Sequence, residues 1–322
     1  MFESEARQIE ERFDLASMVS VTDHDDIQAC IELQTLYAER RAPISVEWTV
    51  PYGEGFFHIG VHNLPSDSAT EWFARLAAFS ARRDAESAAG GGPCETLTEI
   101  FSDLNRQPDL LLVFNHPMWD LADVGDVAHA RLLRRFLADH GSQVHALELN
   151  GYRSRKENGG VRALSAESHL PLISGGDRHA CAPNAILNLT RSRSFAEFVD
   201  EVRQGVSHVV IMPEYRQHLV TRKLAAASDV LRRYPSYPRG RQHWTDRVSC
   251  DWEGSVRPLS YHWPGGGPLW VRSSVVAFQF LTSPVVLPVI RAALQAFDSS
   301  VPSGPLPILS AEPTGVVSVG TN

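Results

Sequence analysis

The feature that most limits how this chain can fold is a repeated two-part unit. A short apolar run suited to a buried strand stops at His, Asp, Glu or Asn, and a segment with apolar residues at helical spacing follows. Residues 109–114 (DLLLVF) form the clearest run and stop at Asn115-His116-Pro117. Pro117 cannot join a ladder and holds its predecessor extended, which puts His116 at the strand's C-terminal end. Residues 15–21 (LASMVSV) read as another buried strand, ending at Thr22-Asp23-His24-Asp25-Asp26, with a helix expected over 27–40 and Asp25 or Asp26 as its N-cap. Strands expected at 44–50 and 56–61 are joined by a turn at 51–55 and carry Glu47 and His58 in apolar surroundings. Further strands are expected at 144–149, from 172 onward and at 208–212, with helices over 3–13, 70–81, 95–105, 129–140 and 195–204. This repeated alternation predicts an α/β barrel, where the C-terminal strand ends form one face and sequence-distant residues meet.

The residues at those ends carry chemistry. In Pro171-Leu172-Ile173-Ser174-Gly175-Gly176-Asp177-Arg178-His179, two glycines let the backbone bend and deliver a carboxylate and an imidazole two positions apart, as metal ligands are often presented. A Glu between Val46 and Trp48 is costly to bury unless paired, hydrogen-bonded or bound to a metal. His58 alone reads as a hydrogen-bonded core histidine, but beside Glu47 on a neighbouring strand it reads as part of a shared site. Arg153, Arg155 and Lys156 follow the Asn150-Gly151 turn, and Arg178 lies between Asp177 and His179. The guanidinium fork suits phosphate oxygens, so Arg153 and Arg178 are candidates for that contact, with solvated loop arginines as the alternative.

Composition narrows the partners. A chain of 322 residues with 43% hydrophobic content can bury a core without staples, and a formal charge of −8 argues against a general nucleic-acid binder while leaving a local basic patch open. The four cysteines, Cys30, Cys94, Cys181 and Cys250, show no C-x-x-C pairing and read as reduced thiols of a cytoplasmic protein. Residues 1–14 are charged and lack a secretory apolar core. The charge-poor stretch 273–290 contains Pro284 and Pro288 and is expected to form a buried hydrophobic hairpin or core segment rather than a membrane span. Residues 88–93 read as a flexible Gly-rich loop. Residues 216–247 mix Arg and Lys with Tyr234, Tyr237 and Trp244, which suits a helix and Pro-rich connector covering the barrel or a contact with a nucleotide or single-stranded nucleic acid.

Taken together, Val21-Thr22-Asp23-His24-Asp25, Glu47 followed by His58, Asn115-His116-Pro117, Glu148-Leu149-Asn150-Gly151 and Gly176-Asp177-Arg178-His179 resemble the PHP (polymerase and histidinol phosphatase) family, most of all its stand-alone phosphoesterases. The resemblance covers roughly residues 1–215. It implies a distorted (β/α)7 TIM-like barrel with two or three divalent metals at its mouth, held by His24, Glu47, His58, His116, Asp177 and His179. Glu47 would bridge metals, and Asp23 would be a ligand or its support. The family's N-terminal H-x-H pair occurs nowhere in this sequence. That absence implies a barrel without its first strand, either because the chain is a fragment of a longer enzyme or because it is a degenerate member.

The expected architecture is a PHP-like barrel over 1–215, a C-terminal extension or lid over 216–298, and a disordered tail from 299 to 322. The expected activity is hydrolysis of a small phosphate ester by metal-activated water, with His116 or His179 moving a proton. The His-and-carboxylate set suits Zn, Mn or Fe more than Mg or Ca. A non-catalytic PHP-like interaction module is the alternative, and an amide-bond hydrolase a third.

Overall fold

A computed structural model describes residues 2–38, 42–81, 95–177, 184–253, 255–297 and 308–310. The chain falls into two compact units. One comprises Met1–Gly175, Ile186–Ile211 and Pro305–Asn322, the other Gly176–Ala185 and Met212–Gly304.

The first unit is mixed α/β, built on a six-stranded sheet curled into a half-barrel, in the order β1 (Asp23–His24), β2 (Ile44–Tyr52), β3 (Gly55–Leu64), β4 (Leu111–Asn115), β5 (Ala146–Asn150) and β6 (Leu172–Gly175). β1 runs parallel to β2, β4 to β5 and β5 to β6, while β2, β3 and β4 form an antiparallel meander. The strand-helix repeat therefore holds at the two ends of the sheet and gives way in the middle to a hairpin whose turn is Gly53-Glu54. Gly53, at φ +56°, supplies the left-handed backbone this turn needs.

Period-two alternation sorts the sheet's faces. Val46, Trp48 and Val50 of β2 pair across to Val61, Ile59 and Phe57 of β3 and are all buried. Trp48 packs edge-on to Phe101 of the helix Leu97–Asn105, and its Nε1–H donates to the Leu76 carbonyl of the helix Ala69–Ser80. The opposite face carries Glu47, Thr49 and His58. On β4 to β6, Leu111, Val113, Ala146 and Ile173 are covered by Phe198, Val199 and Val202 of the helix Phe195–Arg203.

One sequence expectation fails here. Residues 15–21 form no strand: Leu15 and Met18 are exposed, and only Asp23–His24 pairs with β2. β1 is the sheet's edge, and an apolar run becomes a strand only where a neighbour offers a ladder. The stretch after Asn150, to which no element was assigned above, contains the helix Arg155–Ser168, started by a capping box between Ser154 and Glu157.

A second, three-stranded sheet joins β7 (Ile186–Leu189), absent from the sequence reading, to β8 (His208–Ile211) and β11 (Ile308–Ser310), all antiparallel. Ile308–Ser310 falls in the stretch expected to be a disordered tail, and the rest of 299–322 lies outside the described residues, as do residues 88–93.

The second unit contains the helix Leu219–Leu231, a β9 (Ser249–Trp252) to β10 (Ser255–Pro258) hairpin, and the helices Leu269–Leu281 and Leu287–Phe297. Much of the basic-aromatic segment is structural: Tyr234 and Tyr237 stack, and the Arg247 guanidinium lies over both rings while donating to the carbonyls of Val230, Arg232, Arg241 and Gln242. Residues 273–290 do form a helical hairpin, but not a buried one. Val276, Phe280, Val285 and Val289 are exposed. Helical spacing groups apolar side chains without saying whether the group faces inward or outward. No helix among the described residues is long and apolar enough to cross a membrane.

Candidate metal centre

The site grows out of strand register. His24 of β1 pairs with Glu47 of β2, and His58 of β3 pairs with Thr49, which shares a face with Glu47. Gly60 lies directly across from Glu47; a Cβ there would press on His62 and Asn115, so the glycine keeps this face open. Donor atoms of His24, Glu47 and His58 fall within 4.8 Å of one another, an arrangement that could hold a metal ion.

His116 enters differently. Asn115 pairs with His58 and shares its face, so simple alternation would send His116 to the other side. Its backbone instead turns into the left-handed region at φ +30°, and its Nε2 comes to 2.9 Å from Glu47 Oε1. His58 Nδ1 lies 3.1 Å from the same oxygen, and His24 Nε2 lies 3.7 Å from Oε2. Glu47, His58 and His116 are buried, whereas the His24 side chain is 47% exposed and leaves one flank of the cluster open.

The electrostatics follow from that geometry. Burial would raise the Glu47 carboxyl, but hydrogen bonds from His116 and His58 outweigh it and hold the group well below the usual carboxylate range. Burial pushes the His58 imidazole down, against the pull of Glu47. An ionised carboxylate beside a neutral imidazole is the donor chemistry divalent transition metals take.

A further layer fixes His116. Glu148, buried on β5, accepts the His116 backbone N–H at 2.7 Å and the Asn150 amide at 3.0 Å. Asn150 is clamped in turn by Asn158 of the helix Arg155–Ser168, which accepts its N–H and donates to its carbonyl. The next residues of the turn are also held: Met118 lies against Gly160, where a Cβ would come within 2.9 Å of its methyl, and the Arg153 guanidinium sits 3.2 Å above the Trp119 ring. Trp119 packs against His116 with ring centroids 5.2 Å apart.

The sequence-named residues divide accordingly. His24, Glu47, His58 and His116 converge. Asp23, adjacent to His24 on β1, is outside the group of converging donors, as alternation requires. Asp25 braces the site's floor, accepting from the Thr49 N–H and hydroxyl at 2.8 and 2.6 Å, and Asp26 accepts from Gln28 N–H at the start of the following helix. Arg153 is buried rather than a solvated loop residue. Asp177 follows β6 in the second unit, at φ +43°, and Arg178 and His179 lie outside the described residues. Glu148 and Trp119 were given no role in the sequence reading. The signal for Glu148 was the one used for Glu47, a carboxylate inside an apolar strand.

No family model and no curated protein matches the sequence. Among solved structures, 61% of the chain is similar to 88% of a candidate metal-dependent phosphoesterase from Bifidobacterium adolescentis, at 13% identity and TM-score 0.39. Likewise 62% of it is similar to 89% of an amidohydrolase from Chromobacterium violaceum with bound sulfate and no metal, at 16% identity and TM-score 0.39.

Proposed function

We propose that this chain is a metal-dependent phosphoesterase of PHP type, its half-barrel corresponding to part of a distorted (β/α)7 barrel. The observation that carries the reading is Glu47, a buried carboxylate faced by three imidazoles, with no Lys or Arg among its ion-pair partners in the described residues. A core carboxylate of purely structural role is ordinarily neutralised by a cation or by backbone amides; one ringed by imidazoles is arranged as a donor set.

His24, Glu47, His58 and His116 would hold Zn, Mn or Fe, with Asp177, His179 and Asp23 added from the sequence resemblance. A divalent cation bound there neutralises phosphate charge and acidifies water. The chain's own contribution is geometric: Glu148 and the Met118-Trp119 turn hold the His116 ring in place, and His24 leaves an approach for a small phosphorylated substrate. His116, and His179 by resemblance, would hold or pass a proton. Arg153, fixed on Trp119, and Arg178 would meet phosphate oxygens.

The test is metal analysis of the purified full chain by mass spectrometry, followed by hydrolysis of p-nitrophenyl phosphate and its bis-ester with Zn, Mn or Fe added. About one equivalent of metal or more, with turnover lost in Glu47→Gln and His58→Ala, is the expected result. A chain that takes up none of the three ions is an interaction module, and the proposal falls.

A further inference from the structure

The helical hairpin of the second unit carries its apolar side chains on the outside. In the helix Leu269–Leu281, Gln279 donates to the Leu231 carbonyl at 2.9 Å, and just past its end the Thr282 hydroxyl donates to Ser228 at 2.7 Å, so this side faces the helix Leu219–Leu231. Leu269, Val276 and Phe280, at i, i+7 and i+11, form one stripe on another side and are 77%, 65% and 66% exposed. Trp270 flanks the stripe, and Val285 and Val289 extend exposed apolar surface through the turn into the next helix. Exposed apolar side chains grouped in this way mark an interaction site, because leaving them in water forgoes the free energy of burial.

Charge says what covers it. In a chain with formal net charge −8, no Asp or Glu occurs between Glu253 and Asp298, while Arg257, Arg272 and Arg291 do. A cavity of about 320 Å³, lined by Arg233, His243, Trp244, Arg272, Val276 and Gln279 and by no carboxylate, shares Val276 with the stripe. Neither Arg233 nor Arg272 has an ion-pair partner among the described residues. Outward Leu, Val, Phe and Trp next to unpaired guanidinium groups, in an acid-free segment, is the chemistry of an interfacial anchor for an anionic bilayer: the apolar stripe enters the acyl boundary and the arginines take lipid phosphate.

We propose that the hairpin Leu269–Phe297 docks this protein on the surface of anionic membranes. The inference goes beyond the proposed activity and does not depend on it. It is tested with the full chain and vesicles of phosphatidylcholine alone or mixed with phosphatidylglycerol, read by co-sedimentation. Wild type binds the anionic vesicles and not the neutral ones; Val276→Glu with Phe280→Glu weakens binding more than about tenfold, as expected from losing two inserted side chains. Arg272→Glu with Arg233→Glu removes the preference for anionic lipid. A readout independent of charge variants is quenching of Trp fluorescence by brominated anionic lipid, expected in wild type and reduced in Trp270→Phe. Wild type that stays in the supernatant, or a glutamate variant that binds as well as wild type, overturns the proposal. So does a self-associated wild type that the glutamate variant converts to monomer with no change at vesicles, since the stripe would then be an interface between copies.

Discussion

Gly175→Ala is the sharpest test of the structure around His116. A Cβ on Gly175 would overlap the Glu148 carboxylate and come within 2.6 Å of its Cγ. β5 and β6 are paired at this point, Asn150 to Gly175, so the backbone has little freedom to retreat. Glu148 must then leave its place, abandoning the His116 N–H at 2.7 Å and the Asn150 amide at 3.0 Å. Hydrogen bonds to a charged group contribute about 1.5–3 kcal/mol each, so losing both costs about 3–6 kcal/mol before relaxation. Glu148→Ala loses the same bonds but clears the space, and adding Gly175→Ala to it should cost less than about 0.5 kcal/mol. The double-mutant cycle, measured by urea unfolding, should therefore give a coupling of about 3 kcal/mol. Additive single effects, or a Gly175→Ala protein within about 0.5 kcal/mol of wild type, would refute the packing argument.

Three further outcomes follow from the same geometry. Asp25→Ala removes two short bonds to Thr49 and should destabilise the first unit by about 2–4 kcal/mol in thermal unfolding, with Asp25→Asn recovering part of the loss. Trp48→Phe keeps the edge-on aromatic packing but removes the indole N–H that bonds the Leu76 carbonyl and the Ser80 hydroxyl, and should cost about 1 kcal/mol by urea unfolding, because Ser80 keeps its bond to the Thr49 carbonyl. Burial, with Asp23 and Asp26 nearby, pushes the Cys30 thiol up from 9.0 to about 11, so a disulfide reagent at pH 8 should label it only after unfolding. The folded state holds that proton more tightly than the unfolded chain; this stabilisation is complete below pH 9 and is lost as pH rises through about 11, which unfolding at pH 8 and pH 11 in wild type and Cys30→Ala would reveal.

How much was legible in the sequence depended on whether the signal was local. The β4 run stopping at Pro117 was, because a triple Leu and a proline fix both strand and end without reference to a partner. The hairpin carrying Glu47 and His58 was too, since its turn and its alternation lie in one segment. Residues 15–21 have the composition of a strand but no ladder, and pairing is a property of the neighbour. The helix Arg155–Ser168 escaped because its polar, Gly159-Gly160-containing sequence lacks an apolar stripe, although its Ser154-x-x-Glu157 capping box was in view. In the stretch 273–290 apolar composition pointed to burial, but composition does not say which way side chains face, and Val276, Phe280, Val285 and Val289 are exposed.

His116 shows why a candidate site can be named from sequence and still not be understood from it. Strand alternation places Asn115, not His116, on the face of Glu47, so strict alternation would assign the histidine to the face of Leu112 and Phe114. What reverses this is a left-handed backbone at a residue with a bulky side chain, a conformation that costs about 1–3 kcal/mol and persists only where its surroundings impose it. Those surroundings are Glu148 on β5, Asn158 beyond it, and a glycine on β6 that leaves room for the carboxylate. None is near His116 in sequence. Strain held by three separate elements at the point where an imidazole meets a buried carboxylate is what the proposed metal centre would require of His116.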